Sequence, residues 1–304
     1  MPDAVGFFTD TTVCIGCKAC QVACHQWNDL PAEGMQAADP QRRSLPLLSG
    51  DSYDNTRSLS DVNWRHVKFI EQFSADRKQA AWLMMSDVCK HCVNAPCLEV
   101  CPTGAILRTE FDTVYINEPA CNGCRDCVTA CPFGVIHMSM SRGVAQKCTF
   151  CYDRLRNGFA PSCAQACPTG SIKFGKIAEL KRQARERLAQ LQRERDPNGQ
   201  PVWPGAQLYG EDEKVLGGLN AFYLLVDKPE TYGLPSNPKL PSRAVPPSSL
   251  WSVLTAFLTA LGVLFAFRGR TSSERRGSSP PDSGHAAHSA GTSPAARRTD
   301  EGHA

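Results

Sequence analysis

The sequence carries almost no excess charge of either sign and no recognisable export leader. Its 33 Lys and Arg residues nearly balance its 30 Asp and Glu residues, leaving a formal net charge of +3. Such a small charge does not favour nucleic acid or another strongly charged partner. Residues 1–13 have neither a basic start nor an apolar run of signal-peptide length. No arrangement of acid–base or nucleophilic residues stands out, so we expect no substrate chemistry on this chain.

Cysteine is absent after position 167, although the chain contains 16 cysteines. All of them lie between positions 14 and 167, in four sets of four. The sets are Cys14, Cys17, Cys20 and Cys24; Cys89, Cys92, Cys97 and Cys101; Cys121, Cys124, Cys127 and Cys131; and Cys148, Cys151, Cys163 and Cys167.

The third set reads C-N-G-C-R-D-C-V-T-A-C-P, which is the bacterial ferredoxin spacing for iron–sulfur ligands. In that spacing three thiolates bind one cubane, and the fourth cysteine ligates a neighbouring one. Near-copies at Pro102 (P-T-G-A-I) and Pro168 (P-T-G-S-I) indicate an internal repeat. Sixteen thiolates match four [4Fe–4S] clusters with none left over, so we predict an α+β fold of two ferredoxin-like dicluster halves.

Two other uses of these cysteines compete with iron–sulfur ligation. A disulfide framework suits small secreted domains, but cysteines in C-x2-C-x2-C runs are too crowded to pair generally. Zinc is the stronger rival because C-x2-C pairs often bind zinc, usually as two pairs rather than a run of three plus a displaced fourth. A zinc-binding, membrane-tethered interaction protein therefore remains as an alternative of a different class.

The remaining composition predicts how the chain is organised. We expect a four-cluster domain over residues 1–226, with a surface insertion at 28–60, strands at Trp64–Phe73 and Ala221–Val226, and a buried apolar element at Ala80–Met85. Within that domain, 177–195 is predicted to be a helix with an apolar stripe. A proline-rich extended tether at 227–247, a transmembrane helix at 248–268 and a disordered tail at 269–304 complete the prediction.

The transmembrane prediction rests on Leu250–Phe267, which contains no charged residue and is just long enough to span a bilayer. Four arginines follow it (268, 270, 275 and 276), against Lys239 and Arg243 before it. By the positive-inside rule, the tail is cytoplasmic and the cluster domain lies on the outer face of the inner membrane. Because no leader is recognisable and cubanes are inserted in the cytoplasm, we expect a partner with a folded-protein export signal to carry the domain across.

Several of these segments together resemble one family. C-I-G-C-K-A-C-Q-V-A-C, K-C-T-F-C-Y-D-R-L and A-F-Y-L-L-V before a proline-rich stretch and one terminal span are similar to the β subunit of respiratory formate dehydrogenase. The similarity runs from about Phe7 to Phe267, although His25 replaces the proline that usually follows the fourth cysteine. The four-set pattern also occurs in subunits of sulfur-compound reductases and hydrogenases, which remain as alternatives.

The resemblance implies how the ligands are shared and what surrounds the subunit. It implies four clusters held by Cys14, Cys17, Cys20 and Cys167; by Cys24, Cys148, Cys151 and Cys163; by Cys89, Cys92, Cys97 and Cys131; and by Cys101, Cys121, Cys124 and Cys127. It further implies a non-catalytic subunit that relays electrons from a molybdenum- or tungsten-pterin (molybdopterin) catalytic subunit to a membrane cytochrome b and then quinone.

Four basic residues adjoin ligand cysteines and could tune the reduction potentials of the clusters. They are Lys18, Lys90, Arg125 and Lys147. A buried cation favours the reduced, more negative cluster, whereas a solvated surface charge has little effect. The sequence leaves both interpretations open for each of the four.

Overall fold

A computed structural model describes residues 4–31, 54, 56, 58–78, 80–212, 214–243 and 245–274. The chain divides into two units, Met1–Pro246 and Pro247–Ala304. The strands are β1 (Val5–Asp10), β2 (Arg65–Phe73), β3 (Ala80–Val88), β4 (Ile106–Arg108), β5 (Val114–Ile116), β6 (His137–Ser139), β7 (Val144–Gln146), β8 (Ile172–Lys176), β9 (Gln207–Tyr209) and β10 (Ala221–Leu225). The helices are α1 (Ala19–Trp27), α2 (Pro96–Glu99), α3 (Asp126–Ala130), α4 (Tyr152–Arg156), α5 (Ser162–Gln165), α6 (Ile177–Arg193) and α7 (Val245–Glu274).

A four-stranded sheet in the order β8-β1-β10-β9 forms the centre of the first unit. Strand β1 pairs in parallel with β10, with Phe8 opposite Phe222, and antiparallel with β8. All five residues of β10 are buried, as expected for an apolar strand with partners on both edges. The predicted strand at Ala221–Val226 is therefore confirmed as β10, and it pairs with the first strand of the chain.

Three two-stranded hairpins complete the strands among the described residues, and the longest joins β2 to β3. The predicted strand at Trp64–Phe73 is confirmed as β2. The prediction that Ala80–Met85 is buried is wrong for its first half, because β3 is exposed from Ala80 to Trp82 and buried only from Met85 onward. Those exposed residues pair with Glu71–Phe73 at the end of the hairpin that projects beyond the core.

Helix α6 packs against the central sheet through its apolar stripe. Leu180, Ala184 and Leu191 are buried, while Arg182, Arg185 and Glu186 between them are exposed. A side chain at Gly6 of β1 would collide with Ile177, so glycine permits this close approach of strand and helix. The stripe thus covers the sheet and leaves the polar face outward, as helical spacing predicts.

The stretch expected to be an extended tether is partly folded onto the cluster-bearing unit. Residues Pro229–Tyr232 form a 3-10 turn, and Tyr232, Leu234 and Leu240 are buried. The Lys68 ammonium donates a hydrogen bond to the carbonyl of Tyr232 at 2.9 Å. The prediction of an extended tether is therefore wrong for residues 229–240, because the apolar side chains between their prolines are buried.

Helix α7 contains the predicted membrane span. Leu250–Arg268 is long and apolar enough to cross a bilayer, and its side chains are almost all exposed in the isolated chain. The helix continues to Glu274, so the first residues of the tail expected to be disordered are helical. No proline interrupts the backbone hydrogen bonds there. The rest of the predicted tail lies outside the described residues.

Most of the predicted surface insertion at 28–60 also lies outside the described residues. Its described ends are only partly on the surface, since Leu30, Leu59 and Ser60 are buried while Asp29, Pro31 and Ser58 are exposed. The Gln21 amide donates to the hydroxyl of Thr56, which in turn contacts a ring nitrogen of His66 at 2.9 Å. Both ends of the segment are thus packed against the domain beside α1 and β2.

Candidate iron–sulfur sites

All sixteen cysteines lie within the described residues, and every one is a free thiol. The structure therefore contradicts the disulfide interpretation. The thiols lie together in groups of four, and each group contains cysteines from two different sequence sets. Three groups line distinct pockets, and the fourth is packed inside the core.

The first pocket, about 300 Å³ including its open mouth, is lined by Cys14, Cys17, Cys20 and Cys167. A second, of about 310 Å³, is lined by Cys89, Cys92, Cys97 and Cys131. A third, of about 320 Å³, is lined by Cys101, Cys121, Cys124 and Cys127. These memberships are the ones that the family resemblance implies.

The fourth group consists of Cys24, Cys148, Cys151 and Cys163, all buried. Burial raises the pKa of the Cys24 thiol well above its usual value, and the thiolates of Cys148, Cys163 and Cys151 raise it further. Helix α1, which carries Cys24, packs against α5, which carries Cys163. The last cysteine of the first run therefore faces the fourth set, as ferredoxin spacing predicts.

Two of the ligand runs share one backbone conformation. Gly16 and Gly123 have φ values of +65° and +73°, and Lys18 and Arg125, two residues later, have φ values of +60° and +72°. A side chain at Gly16 would collide with Phe69, and one at Gly123 with the carbonyl of Gly143. Glycine is therefore required where the loop turns tightly around its pocket.

Hydroxyl and amide groups surround the sulfur atoms. The near-copies after Cys101 and Cys167 place Thr103 and Thr169 in matching positions, at 3.7 and 3.8 Å between hydroxyl oxygen and Sγ. The backbone N–H of Phe150 donates to Cys148 Sγ at 3.3 Å. Such hydrogen bonds stabilise negative charge on sulfur, which is one way a protein tunes an iron–sulfur cluster.

The donor set fits multi-iron clusters. Burial raises the pKa of Cys163 and of Cys97 to about 12, and neighbouring thiolates add to this effect although Arg65 and Lys147 oppose it. Binding of metal cations favours the thiolate form of such cysteines. Among the described residues, no group of His, Cys, Asp or Glu is spaced to surround one metal ion such as zinc. In a [4Fe–4S] cluster each thiolate instead binds a separate iron, and the cluster supplies electron-transfer chemistry.

Thiolates of neighbouring groups influence one another, and these pairs connect the four groups in one series, here called the row. Besides burial, the Cys20 thiolate raises the pKa of Cys163, which links the first pocket to the core group. The Cys89 thiolate likewise raises the pKa of Cys148, linking the core group to the second pocket. Cys127 has the same effect on Cys97, linking the second pocket to the third. The core group and the group of the second pocket lie at the middle of this series and are largely buried. The groups of the first and third pockets lie at its ends, and each has one exposed cysteine, Cys17 and Cys124.

The four basic residues next to ligands fall into two kinds. Lys90 and Lys147 are buried, so the surface-charge interpretation fails for both. Lys147 donates to the carbonyls of Val114 and Cys148, and Lys90 donates to the carboxylate of Asp87. Arg125 is exposed, and Lys18 is half-buried with its ammonium 5.5 Å from the ring centroid of Phe69. Only the first two are placed where their charge escapes solvent screening.

Sequence reasoning missed Arg65, the largest fully buried side chain among the described residues. It begins β2 and lies on the same face as Val67, which lines the first pocket. Strand alternation therefore contained a signal, since an arginine two residues before a buried valine shares its face. Arginine is seldom fully buried unless it is paired, so alternation alone does not identify such a residue.

Comparisons with known proteins agree with this geometry. Residues 13–105 and 80–177 each match a family model described as a 4Fe-4S dicluster domain. These are iron–sulfur rather than zinc-binding families, so the zinc alternative is not supported. Together the two matches span all four cysteine sets.

Curated relatives cover most of the chain. The formate dehydrogenase-O iron-sulfur subunit of Escherichia coli (strain K12) is 35% identical over 258 residues, which is 84% of this chain and 78% of the relative. The formate dehydrogenase iron-sulfur subunit of Haemophilus influenzae is 37% identical over 235 residues, 76% of this chain and 68% of the relative. The thiosulfate reductase electron transfer subunit PhsB of Salmonella typhi is 39% identical over 171 residues, 56% of this chain and 74% of the relative. The chain therefore belongs to the family of formate dehydrogenase iron–sulfur subunits, which are electron-transfer rather than catalytic subunits.

Proposed function

We propose that this chain relays single electrons through four [4Fe–4S] clusters in a membrane-bound formate dehydrogenase. Each of the four cysteine groups described above holds one cluster, so all sixteen thiolates serve as iron ligands. The observation that carries the proposal is the assembly of sixteen free cysteines into four groups of four. A relay needs several neighbouring centres, and the row of groups supplies them.

The row also suggests where electrons enter and leave. The two end groups have exposed cysteines and the two inner groups are largely buried, as expected if partners dock at both ends. The last residues before α7 contact α2, where the backbone N–H of Ser242 lies 3.4 Å from the carboxylate of Glu99, two residues before Cys101. We assign the group of Cys101 to the membrane end and the group of Cys14 to the catalytic end.

The family suggests which subunits are the partners, and the order of the cysteine groups suggests where each one docks. A molybdenum- or tungsten-pterin subunit oxidises formate to carbon dioxide and passes two electrons, one at a time, to the first cluster. The last cluster passes them to a membrane cytochrome b, which reduces quinone. Helix α7 anchors the subunit in the inner membrane, with the clusters on the outer face and the tail in the cytoplasm. A partner with a folded-protein export signal brings the domain across.

The test is to purify the chain without air together with the subunits that accompany it. Metal analysis should give about 16 iron and 16 sulfide per chain and no stoichiometric zinc. Formate should then reduce the clusters, as followed by their visible absorbance and electron paramagnetic resonance. A colourless preparation would contradict the cluster assignment. A brown preparation that formate does not reduce would contradict the substrate while leaving the relay intact.

A second candidate is the same relay in a sulfur-compound reductase. It is favoured by the 39% identity to the thiosulfate reductase electron transfer subunit of Salmonella typhi. That match covers 56% of this chain, against 84% for the formate dehydrogenase relative of E. coli. Reduction of the clusters by formate, or oxidation of the reduced clusters by thiosulfate, separates the two candidates.

A further inference from the structure

Arg65 lies inside the protein without the partners that a buried cation normally has. The residue is 1% exposed, and its Nη1 donates to the hydroxyl of Ser86 at 2.9 Å. Its Nε and Nη2 groups are buried and have no hydrogen-bond partner. The ion pairs found among the described residues do not include it, whereas Lys90 pairs with Asp87. An arginine in this state is costly unless negative charge lies nearby.

A pair of stacked aromatic rings lies against the guanidinium. Its central carbon lies 4.9 Å from the ring centroid of Phe7, and Phe7 stacks on Phe150 with a centroid separation of 4.1 Å. The backbone N–H of Phe150 donates to Cys148 Sγ. The aromatic stack thus ties the position of Arg65 to the core group of cysteines.

Ser86 ties Arg65 to the first pocket. The serine oxygen accepts from Arg65, because a guanidinium can only donate. The serine O–H is therefore free to donate to Cys20 Sγ, 3.2 Å away. Ser86 and Cys20 both line the first pocket, so this short chain of hydrogen bonds connects the cation to that site.

The charges that Arg65 senses come from both groups. Burial alone lowers the pKa of Arg65, but the thiolates of Cys163, Cys20 and Cys148 raise it above its usual value. In return, Arg65 lowers the pKa of Cys24, Cys148 and Cys163 in the core group and of Cys20 in the first pocket. The side chain therefore lies between two candidate cluster sites and acts on both.

We propose that Arg65 is a positioning residue shared by two clusters, the one in the first pocket and the one held by the core group. Its free N–H groups donate to sulfur atoms at these sites, and its charge stabilises both clusters in their reduced states. The inference rests on the proposed four clusters. A [4Fe–4S] cluster with four thiolates is an anion that gains one more negative charge on reduction, so one fixed cation raises both reduction potentials.

The experiment compares Arg65→Gln, Arg65→Lys and the wild-type complex, each purified without air and titrated by redox-monitored electron paramagnetic resonance. The two affected clusters are identified by the signals missing in Cys17→Ser and Cys151→Ser. We expect Arg65→Gln to lower the potentials of both by at least a tenfold change in the reduction equilibrium, about 59 mV each. The other two clusters should keep their potentials. Arg65→Lys should restore part of the shift because it retains the charge.

Arg182→Gln is the matched control, since it removes an exposed arginine from the outer face of α6 and should move no potential. Fully loaded Arg65→Gln with four unchanged potentials would overturn the proposal, as would equal shifts in the Gln and Lys variants. If Arg65→Gln loses iron, Ser86→Ala decides instead. If Ser86→Ala lowers the potential of only the cluster that is missing in Cys17→Ser, the proposal is supported. If Ser86→Ala changes no potential, the proposal is overturned. A wild-type complex without clusters would contradict the proposed function itself.

Discussion

Lys90 and Asp87 form an ion pair in which both side chains are buried, and in the sequence the pair flanks Val88 and the proposed ligand Cys89. Asp87 also accepts from Lys68 at 2.9 Å. Burial alone raises the pKa of Asp87, but Lys90 and Lys68 lower it, and the net result is a carboxylate that stays ionised. The cation beside this ligand is therefore neutralised by a fixed anion.

Removal of that carboxylate should destabilise the protein and change one potential. Asp87→Asn leaves the Lys90 charge buried without compensation, which costs about 3–5 kcal/mol. The same uncompensated cation should raise the reduction potential of the cluster held by Cys89, Cys92, Cys97 and Cys131. Thermal unfolding and redox titration of the anaerobic complex measure the two effects.

Asp76→Asn is the control for this change. Asp76 is exposed at the end of the β2–β3 hairpin, so its replacement should alter stability by no more than about 0.5 kcal/mol. Equal stability of the two variants would show that the Lys90–Asp87 pair does not support the fold.

Lys147 and Arg125 should differ in their effect on potentials, although each adjoins a ligand in the sequence. Lys147 is buried and lowers the pKa of Cys97, against the larger effect of burial. Arg125 is exposed, where solvent and salt screen its charge. We expect Lys147→Gln to lower the reduction potential of the cluster held by Cys97 by about 59 mV or more, a tenfold change in the reduction equilibrium. Arg125→Gln should lower the potential of the cluster in the third pocket, which Arg125 lines, by less. Redox titration of both variants checks this, and equal shifts would contradict the role of burial.

The crossing of ligands between sets predicts which variants share a phenotype. Cys131 follows the run of Cys121, yet it lines the pocket of Cys92. We expect Cys131→Ser and Cys92→Ser to remove the same electron paramagnetic resonance signal, each with a loss of up to about four iron per chain. Cys127→Ser should remove a different signal. If Cys131→Ser and Cys127→Ser instead lost the same signal, the proposed ligand sets would be wrong.

Removal of the apolar helix should release the subunit from lipid. A chain ending at Ser249 lacks the span Leu250–Arg268, which supplies the hydrophobic length needed to cross a bilayer. Expressed without its partners, this variant should be removed from membrane vesicles by an alkaline wash. A chain lacking only residues 275–304 is the control and should remain bound. Retention of both variants would assign membrane attachment to the first unit.

The β2 and β10 strands, the stripe of α6 and the apolar span were all predictable, because each is encoded by a local pattern of apolar residues. The folding of the expected tether was not, because whether Tyr232 and Leu234 are buried depends on a surface formed by distant segments. For the same reason the outer part of β3 was expected to be buried and is exposed. Local pattern specifies the type of element, and long-range packing decides which face is covered.

The chemistry of the sites follows from the cysteine spacing alone. Sixteen cysteines in ferredoxin spacing specify thiolate ligands for iron–sulfur clusters, because the reach of a tight loop around one cubane depends only on neighbouring residues. Which cysteine runs face each other, and which charged side chains are buried, depends instead on the folded chain. The local sequence does not show that Lys90, Lys147 and Arg65 are buried, as they are in the fold. Burial is a property of the whole packed chain, and it sets how strongly each charge acts on a neighbouring cluster.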